Sequence, residues 1–349
     1  MRDSSRVMTP AIFGLAGLEL TADERAFFAE ADPAGYILFA RNCETPAQLR
    51  ALTDDLRAIA GRDDLLVTID QEGGRVARLP TDAFPKYPPG GAFDALYDVA
   101  PISAIEAARV NAHALALDLA EAGVTCNALP LLDVREPGAH DVIGDRALGT
   151  EPMRVAALGK AVLDGMADAG VIGIVKHIPG HGRATADSHK NLPTVTASDA
   201  ELERDLAPFI ALADAPLGMT AHIVFTAWDD ARPATQSPTV IENIIRARIG
   251  FDGFLMTDDI DMQALDGPIP ERSAKAIAAG CDCILNCWAK MDDMVGIAKA
   301  VPAMTAKGRE RLDRGMAGAR IAPVGSIAER RDELAAKRDA LLSAGGVAA

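Results

Sequence analysis

The sequence lacks a surplus of positive charge, and this removes one large class of partners. Its 349 residues include 50 Asp and Glu against 35 Lys and Arg, so the formal net charge at pH 7 is −15. A nucleic-acid-binding protein needs a basic surface to neutralise phosphates, and this chain has no basic excess from which to build one. The balance suits a ligand that is small and either uncharged or steered by a local field.

Long hydrophobic runs are also missing. No apolar stretch reaches the roughly 18 residues that would indicate a membrane-spanning helix, so we expect no membrane partner. The apolar run 11–18 follows Arg2 and Arg6 and imitates a signal peptide. Because Gly14 and Gly17 interrupt it, the run is better interpreted as a first β-strand.

Cysteine is scarce and unevenly placed. The chain has five, an odd number, and three of them lie in the mostly apolar segment 281–287. The spacing C-x-C-x3-C alone is weak evidence for a metal site. We interpret these residues as reduced thiols of the core, which fits a cytoplasmic location.

Eight apolar, β-branched segments alternate with Ala-, Leu- and Glu-rich segments of helical periodicity. Strands that are apolar throughout and alternate with helices are typical of a parallel sheet covered on both faces. Eight such units in about 300 residues favour an α/β fold of the TIM type, a closed (β/α)8 barrel. An open doubly wound sheet is the main alternative, but the first strand is not followed by G-x-G-x-x-G. The predicted strands are 11–16, 35–39, 65–69, 124–132, 172–175, 217–220, 253–256 and 283–285.

The predicted elements indicate one domain with a short C-terminal addition. We expect residues 1–325 to form the catalytic barrel, because no strand pattern appears after Pro323. Residues 326–349 should form a charged helix and a small-residue tail that packs on the barrel or trails from it.

Polar residues follow most of the predicted strands where each strand ends. In a barrel the carboxyl ends of all strands meet on one face, where active sites are built. A helix cap or a turn explains one such residue, but it does not explain six strands with polar exits in register. The residues at these exits are Asp70, Asp133, Lys176 with His177, His222, Asp258 with Asp259, and Asn286.

Three motifs at these exits carry side chains suited to chemistry on a sugar. Residues 70–78 read D-Q-E-G-G-R-V-A-R, in which carboxylates accept bonds from hydroxyls and arginines donate in a fixed fork. Residues 176–189 read K-H-I-P-G-H-G-R-A-T-A-D-S-H and hold three of the six histidines on a Gly- and Pro-containing loop. Residues 254–262 read F-L-M-T-D-D-I-D-M and place a carboxylate that can attack an anomeric carbon.

Less specific interpretations of these residues stay open. Glu72 and Arg75 can be ion-paired residues of a charged loop, and either Asp258 or Asp259 can cap the next helix. Arg146, in the segment I-G-D-R-A-L-G, is a weaker fourth candidate whose default role is a surface ion pair.

The order and spacing of D-Q-E-G-G-R-V-x-R, K-H-x-P-G-H-G-x4-D-S-H and D-D-I-D-M resemble glycoside hydrolase family 3. Within it they are most similar to the single-domain bacterial β-N-acetylglucosaminidases, and the likeness runs from residue 12 to residue 285. The resemblance implies a (β/α)8 barrel, in agreement with the strand count. It also implies a cytoplasmic, retaining exo-β-N-acetylglucosaminidase of peptidoglycan recycling, without cofactor or metal, that acts on an N-acetylglucosamine-containing saccharide or muropeptide.

The resemblance assigns roles to particular residues. Asp258 corresponds to the nucleophile, His189 to the general acid/base, and Asp187 to its partner in an Asp–His dyad. An imidazole with an ordinary pKa of about 6.5 can lose and regain a proton near neutrality. The positions that correspond to sugar binding or lie near the same pocket are Asp70, Arg78, Arg146, Lys176, His177 and His222.

Small departures from the family pattern remove no catalytic group. Ile178 replaces a usual Phe, Thr257 a usual Ser, and Asp261 adds an acid close to the nucleophile. We also expect the glycine-containing segment 180–189 to close over the bound sugar, and His181 to shape it rather than to bind substrate.

Three rival functions follow from the same residues. A metal-dependent barrel hydrolase would use histidines and acids at strand ends, although here they lie on a Gly- and Pro-containing loop. A non-catalytic sugar-binding barrel would have no need of a nucleophile and a dyad. A family 3 β-glucosidase is the third, although these enzymes usually carry extra domains. Protein partners stay open.

Overall fold

Eight parallel strands form the centre of the computed structural model, which describes residues 7–136, 138, 141–184 and 192–347. The strands are β1 (Thr9–Gly14), β2 (Pro33–Leu38), β3 (Leu66–Ile69), β4 (Cys126–Asn127), β5 (Ile172–Ile178), β6 (Leu217–Thr220), β7 (Phe254–Asp259) and β8 (Cys283–Asn286). Their order in the sheet is β3-β2-β1-β8-β7-β6-β5-β4. Every pair in this order is parallel.

The two ends of this order meet, so the sheet closes into a barrel. The backbone N–H of Thr125 donates to Val67 O at 3.0 Å, and that of Ala128 donates to Ile69 O at 2.9 Å. The Thr125 hydroxyl adds to the seam, since its oxygen accepts from Val67 N at 2.9 Å and donates to Leu65 O at 2.7 Å. Closure leaves no edge strand, and the predicted (β/α)8 barrel is confirmed.

Ten α-helices in the described residues surround the barrel or extend from it. They are α1 (Ala22–Ala31), α2 (Pro46–Ala60), α3 (Gly90–Val99), α4 (Pro101–Glu121), α5 (Pro152–Asp168), α6 (Asp199–Ala211), α7 (Ile269–Ala279), α8 (Met291–Ala300), α9 (Ala306–Met316) and α10 (Ala328–Ala344). A π-helix, Val240–Arg248, covers β6 and β7, and the short strands Thr194–Val195 and Val224–Phe225 form a separate pair.

Local sequence explains where several helices start. Thr21 and Glu24 form a reciprocal capping box at α1, and Ser198 and Glu201 form another at α6. Each box satisfies backbone N–H groups that the first helical turn leaves without a partner. Thr45 caps α2 in the same way with its side-chain oxygen.

Alternate strand residues divide between two cores. One set packs between the sheet and the outer helices, and includes Phe13, Leu38 and Ile69. The other fills the barrel interior, and Leu312 and Met316 of α9 belong to it and close the amino end. The interior is therefore packed with side chains, and only its carboxyl end presents polar groups.

The predicted strand boundaries differ from the observed ones in two informative places. The predicted strand 124–132 contracts to two residues, because Pro130 has no N–H to donate to a ladder. In contrast, β5 extends three residues past its predicted end, pairing Ile178 with Thr220. Lys176 and His177 are consequently held in a strand rather than on a loop.

Helix α10 lies against α4. Arg338 donates to Asn111 Oδ1 at 3.1 Å, and Arg331 pairs with Asp118 at 3.1 Å. The division of the chain at residue 325 stays a prediction. All five cysteines are buried and unbridged, which confirms their assignment to the core. None of the described helices is long and apolar enough to cross a membrane.

We expect Thr125→Val to destabilise the fold by about 1–3 kcal/mol, because the isosteric valine leaves the buried Val67 N–H and Leu65 O without this partner. Urea unfolding measures the change in the free energy of unfolding, with the same m-value expected for the variant and the wild type. Thr226→Val is the matched control, since Thr226 is an exposed residue whose hydroxyl donates to Val195 O at 3.4 Å beside the short strand pair. Equal changes in the two variants would contradict a role for Thr125 in barrel closure.

Candidate active site

A pocket of about 150 Å³ opens at the carboxyl end of the barrel. Met219 and Leu285 contribute apolar surface to it from the end of the interior core. Six of the residues predicted for the site line it together: Asp70, Arg78, Arg146, Lys176, His177 and Asp258. The polar strand exits therefore converge, as the barrel geometry requires.

Lys176 on β5 is the most buried charge in this pocket, at 2% exposure. Its Nζ lies 2.7 Å from Glu72 Oε1 and 3.1 Å from Asp70 Oδ1. Burial alone would lower the pKa of the ammonium, but Glu72 and Asp70 outweigh it and hold the pKa above its ordinary value. Two of the three N–H donors are engaged by these carboxylates, which leaves one for a ligand.

Glu72 also holds Arg146 in a two-pronged ion pair. Arg146 Nε and Nη2 lie 2.8 and 2.7 Å from the two carboxylate oxygens, and Nη1 donates to Val142 O at 3.0 Å. Burial would raise the pKa of Glu72, but Lys176 and Arg146 lower it overall. The sequence left open that Glu72 and Arg75 are ion-paired residues of a charged loop. Both are ion-paired, Glu72 inside the pocket and Arg75 with Asp145 at the surface.

Asp70 and Arg78 form the next part of the same network. Arg78 Nη2 lies 3.3 Å from Asp70 Oδ2, and its guanidinium sits over the Phe39 ring at 5.2 Å. The surrounding cations Lys176 and Arg78 more than offset burial, so the pKa of Asp70 lies well below its ordinary value. Gln71 fixes the turn by accepting from the Arg78 N–H at 2.7 Å.

Asp133 orients His177. Its Oδ2 lies 2.7 Å from His177 Nδ1, while Oδ1 accepts from the backbone N–H of His177 at 3.2 Å and of His181 at 2.7 Å. Burial would raise the pKa of Asp133, but His177 lowers it to about 2. The carboxylate thus accepts the Nδ1 proton and fixes the orientation of the imidazole ring. Sequence reasoning noted Asp133 at a strand exit and gave it no role.

His181 also lines the pocket. Burial and the neighbouring His177 lower its pKa to about 4, so the ring is neutral near physiological pH. The two imidazoles meet edge to face with centroids 5.5 Å apart. The predicted structural role of His181 stays a prediction.

His222 does not reach the pocket, in contrast to the sugar-binding role predicted for it. The side chain is fully buried, its Nε2 donates to the backbone O of Asp259 at 3.0 Å, and Nδ1 lies 2.7 Å from Thr235 Oγ1. Burial lowers its pKa, which keeps the ring neutral. Because its Nε2 bonds to Asp259 O, His222 supports the end of β7.

Asp258 and Asp259 both lie in the pocket at the end of β7. Neither caps the following helix, because α7 begins much later with Pro268 as its N-cap residue. Asp258 Oδ1 accepts from the Asp259 N–H at 2.8 Å. Burial, followed by the nearby Asp261, raises the pKa of Asp259 well above its ordinary value. Asp258 therefore faces the charged groups of the pocket, whereas the carboxyl group of Asp259 favours its neutral form.

Two of the predicted catalytic residues, Asp187 and His189, lie outside the described residues, as does half of the segment 180–189 that is expected to close. They follow Ala184, which is buried beside the pocket segment. Within the described ranges no group of three His, Cys, Asp or Glu side chains is arranged to hold a metal ion.

The comparisons with known proteins agree on one family. The model described as the glycosyl hydrolase family 3 N terminal domain matches residues 11–317. A protein named beta-hexosaminidase from Alkalilimnicola ehrlichii is 39% identical over 286 residues, covering 80% of this chain and 81% of that protein. One of the same name from Thiobacillus denitrificans is 39% identical over 311 residues, covering 87% and 85%.

Solved structures agree with the sequence relatives. NagZ from Neisseria gonorrhoeae, in complex with N-trifluoroacetyl-D-glucosamine, has a TM-score of 0.85 at 30% identity, covering 98% of this chain and 99% of that chain. A family 3 β-N-acetylglucosaminidase from Paenibacillus sp. str. FPU-7 has a TM-score of 0.83 at 33% identity, covering 95% and 67%.

The raised pKa of Asp259 predicts a dependence of stability on pH. Between the ordinary Asp pKa of about 3.9 and the raised value, the folded protein keeps a proton that the unfolded chain has lost. The free energy of unfolding therefore falls as pH rises through this window. Asp259→Asn keeps an acceptor oxygen and does not titrate, so we expect it to gain stability relative to the wild type as pH rises, measured by urea unfolding across the pH series.

Asp252→Asn is a control of opposite sign. The bond from Arg311 lowers the pKa of Asp252, so the wild type keeps this stabilisation above the ordinary Asp pKa and loses it as pH falls below that value; the deficit of this variant should stay constant over the window in which Asp259→Asn gains. A stability difference for Asp259→Asn that does not change with pH would contradict the assignment.

Proposed function

Because the chain belongs to glycosyl hydrolase family 3, we propose that it is a β-N-acetylhexosaminidase that removes terminal N-acetylglucosamine with net retention of configuration. The observation that carries this proposal is the placement of Asp258 in one pocket with the buried Lys176 network. A neutral sugar needs many hydrogen-bond partners and one carboxylate at its anomeric carbon, and this pocket offers both.

The charges of the pocket suit an uncharged ligand that develops positive charge as it reacts. Cations and carboxylates nearly balance, so neither an anionic nor a strongly cationic ligand is favoured. The extra carboxylate, Asp258, stabilises an oxocarbenium-like transition state. The groups counted are Lys176, Arg78 and Arg146 against Asp70, Glu72, Asp133 and Asp258.

The reaction proceeds in two steps. In the first, Asp258 attacks the anomeric carbon while His189 protonates the leaving oxygen, and a glycosyl-aspartate forms. In the second, His189 takes a proton from water, which attacks the same carbon and releases the sugar with its original configuration. Asp187 orients the imidazole and stabilises its charged form, as the carboxylate of a Ser–His–Asp triad does.

In the complex with the unreacted sugar, its hydroxyl groups form hydrogen bonds with side chains at and beyond the ends of β3 and β5. Lys176 and Arg78 donate, and Asp70 accepts. The Asp133 bond fixes the orientation of the His177 ring. Because these side chains are held by one another, little reorganisation is needed when the sugar binds.

In this role the substrate is a muropeptide fragment of the cell wall and the compartment is the cytoplasm, where five buried, unbridged cysteines stay reduced. A family 3 β-glucosidase is the second candidate, since the same network also binds a glucoside. The names of the relatives and the N-trifluoroacetyl-D-glucosamine held by NagZ favour the N-acetylhexosaminide.

The test is turnover of aryl N-acetyl-β-glucosaminide and aryl β-glucoside, with the product anomer followed by NMR. We expect preference for the first substrate and initial release of the β-anomer. Asp258→Ala should lower kcat/KM by at least about a thousandfold, because it removes the nucleophile. His189→Ala should lower it by about a hundredfold and remove a limb of the pH profile near neutrality.

Glu203→Gln is the matched control, since Glu203 pairs with Arg248 on the surface and should leave activity unchanged. Release of the α-anomer, or turnover by Asp258→Ala equal to that of the wild type, would contradict the proposal. Activity lost on exhaustive chelation and restored by metal would favour the metal-dependent alternative.

A further inference from the structure

Trp288 is the one exposed aromatic side chain among the described residues, at 62% exposure. The other tryptophan, Trp228, packs against Phe225 and donates its indole N–H to Asp199. A large apolar side chain left in water gives up the burial energy that the remaining aromatic residues gain. Single exposed apolar side chains are common on protein surfaces, so the exposure of Trp288 gains its meaning from its place in the fold.

The position of Trp288 links it to the pocket. It directly follows Cys287, which lines the pocket at the end of β8. Since active-site loops of a barrel extend from the carboxyl ends of the strands, the Trp288 backbone lies on the face of the barrel that carries the pocket, next to the lining residue Cys287.

The backbone around Trp288 is held on several sides. Asp261 Oδ2 accepts from the Cys287 N–H at 3.0 Å and the Trp288 N–H at 3.4 Å. The Arg41 guanidinium donates to Cys287 O. Ala289 has a φ of 55°, in the left-handed region that costs an alanine free energy. A fixed, strained backbone that carries an exposed indole indicates preorganisation for a ligand.

The volume of the pocket indicates which part of a substrate lies inside it. Its volume of about 150 Å³ is of the order of one sugar ring, which favours a position at the rim for the group attached through the scissile oxygen. The face of an indole stacks on the C–H face of a pyranose, burying apolar surface on both without needing a charge.

We propose that Trp288 is the platform for the sugar ring on the leaving-group side of the scissile bond. Asp261 acts as its positioning residue, because its carboxylate holds both the Cys287 and the Trp288 backbone N–H groups. This inference rests on the proposed function, since it requires that the pocket hold the terminal N-acetylglucosamine. It assigns the aglycone contact to a strand end that none of the three sequence motifs includes.

The experiment compares two substrates in wild type, Trp288→Ala and Trp288→Phe. One is the β-1,4-linked disaccharide of N-acetylglucosamine, whose second ring reaches the rim. The other is N-acetyl-β-glucosaminyl fluoride, whose leaving group cannot. We expect Trp288→Ala to lower the ratio of kcat/KM for disaccharide over fluoride by about tenfold, and Trp288→Phe to restore most of it, because a ring face remains.

Trp228→Phe is the matched control and should leave the ratio unchanged. A ratio in Trp288→Ala equal to that of the wild type would overturn the proposal, as would an equal loss on both substrates. Hydrolysis of the fluoride by the wild type reports on the proposed function separately. If the wild type fails to hydrolyse it, the proposed function fails, whereas an unchanged ratio in an active enzyme overturns only the role of Trp288.

Discussion

The buried ammonium of Lys176 is the constraint on which the site depends. A charge buried to this extent is tolerated only if opposite charges surround it, and here Glu72 and Asp70 do so at 2.7 and 3.1 Å. These carboxylates follow β3, whereas Lys176 lies in β5, so the pair forms only when the barrel is closed across the short β4. The same carboxylates then hold Arg146 and Arg78, and the network fixes one wall of the pocket.

The apolar interior of the barrel strengthens the electrostatic interactions of this network. Its interior is packed with apolar side chains up to Met219 and Leu285, and α9 closes the opposite end with Met316. Water thus reaches the polar end only through the mouth. In such surroundings fixed dipoles and charges act more strongly than they do in water, which suits stabilisation of a charged transition state.

Much of this arrangement could be predicted from the sequence because parallel strands deliver their exit residues to one face. That rule was sufficient for Asp70, Lys176 and Asp258, which lie within two residues of the ends of β3, β5 and β7. It was not sufficient for Glu72, three residues beyond the end of β3, or for His222, whose burial accompanies its contacts with Thr235 and β7. Chain spacing fixes which residues share an end of the barrel, but burial and partner choice depend on how the loops fold back.

The central claim is that Asp258 attacks a sugar held by the Lys176 network. The most direct measurement is the mass of the peptide containing Asp258 after reaction with a 5-fluoro N-acetylglucosaminyl fluoride, whose ring fluorine slows release of the covalent intermediate. The account predicts one sugar added to that peptide, with fragmentation placing it on Asp258. A sugar attached to Asp259 instead, or turnover of the reagent without any covalent adduct, would contradict it.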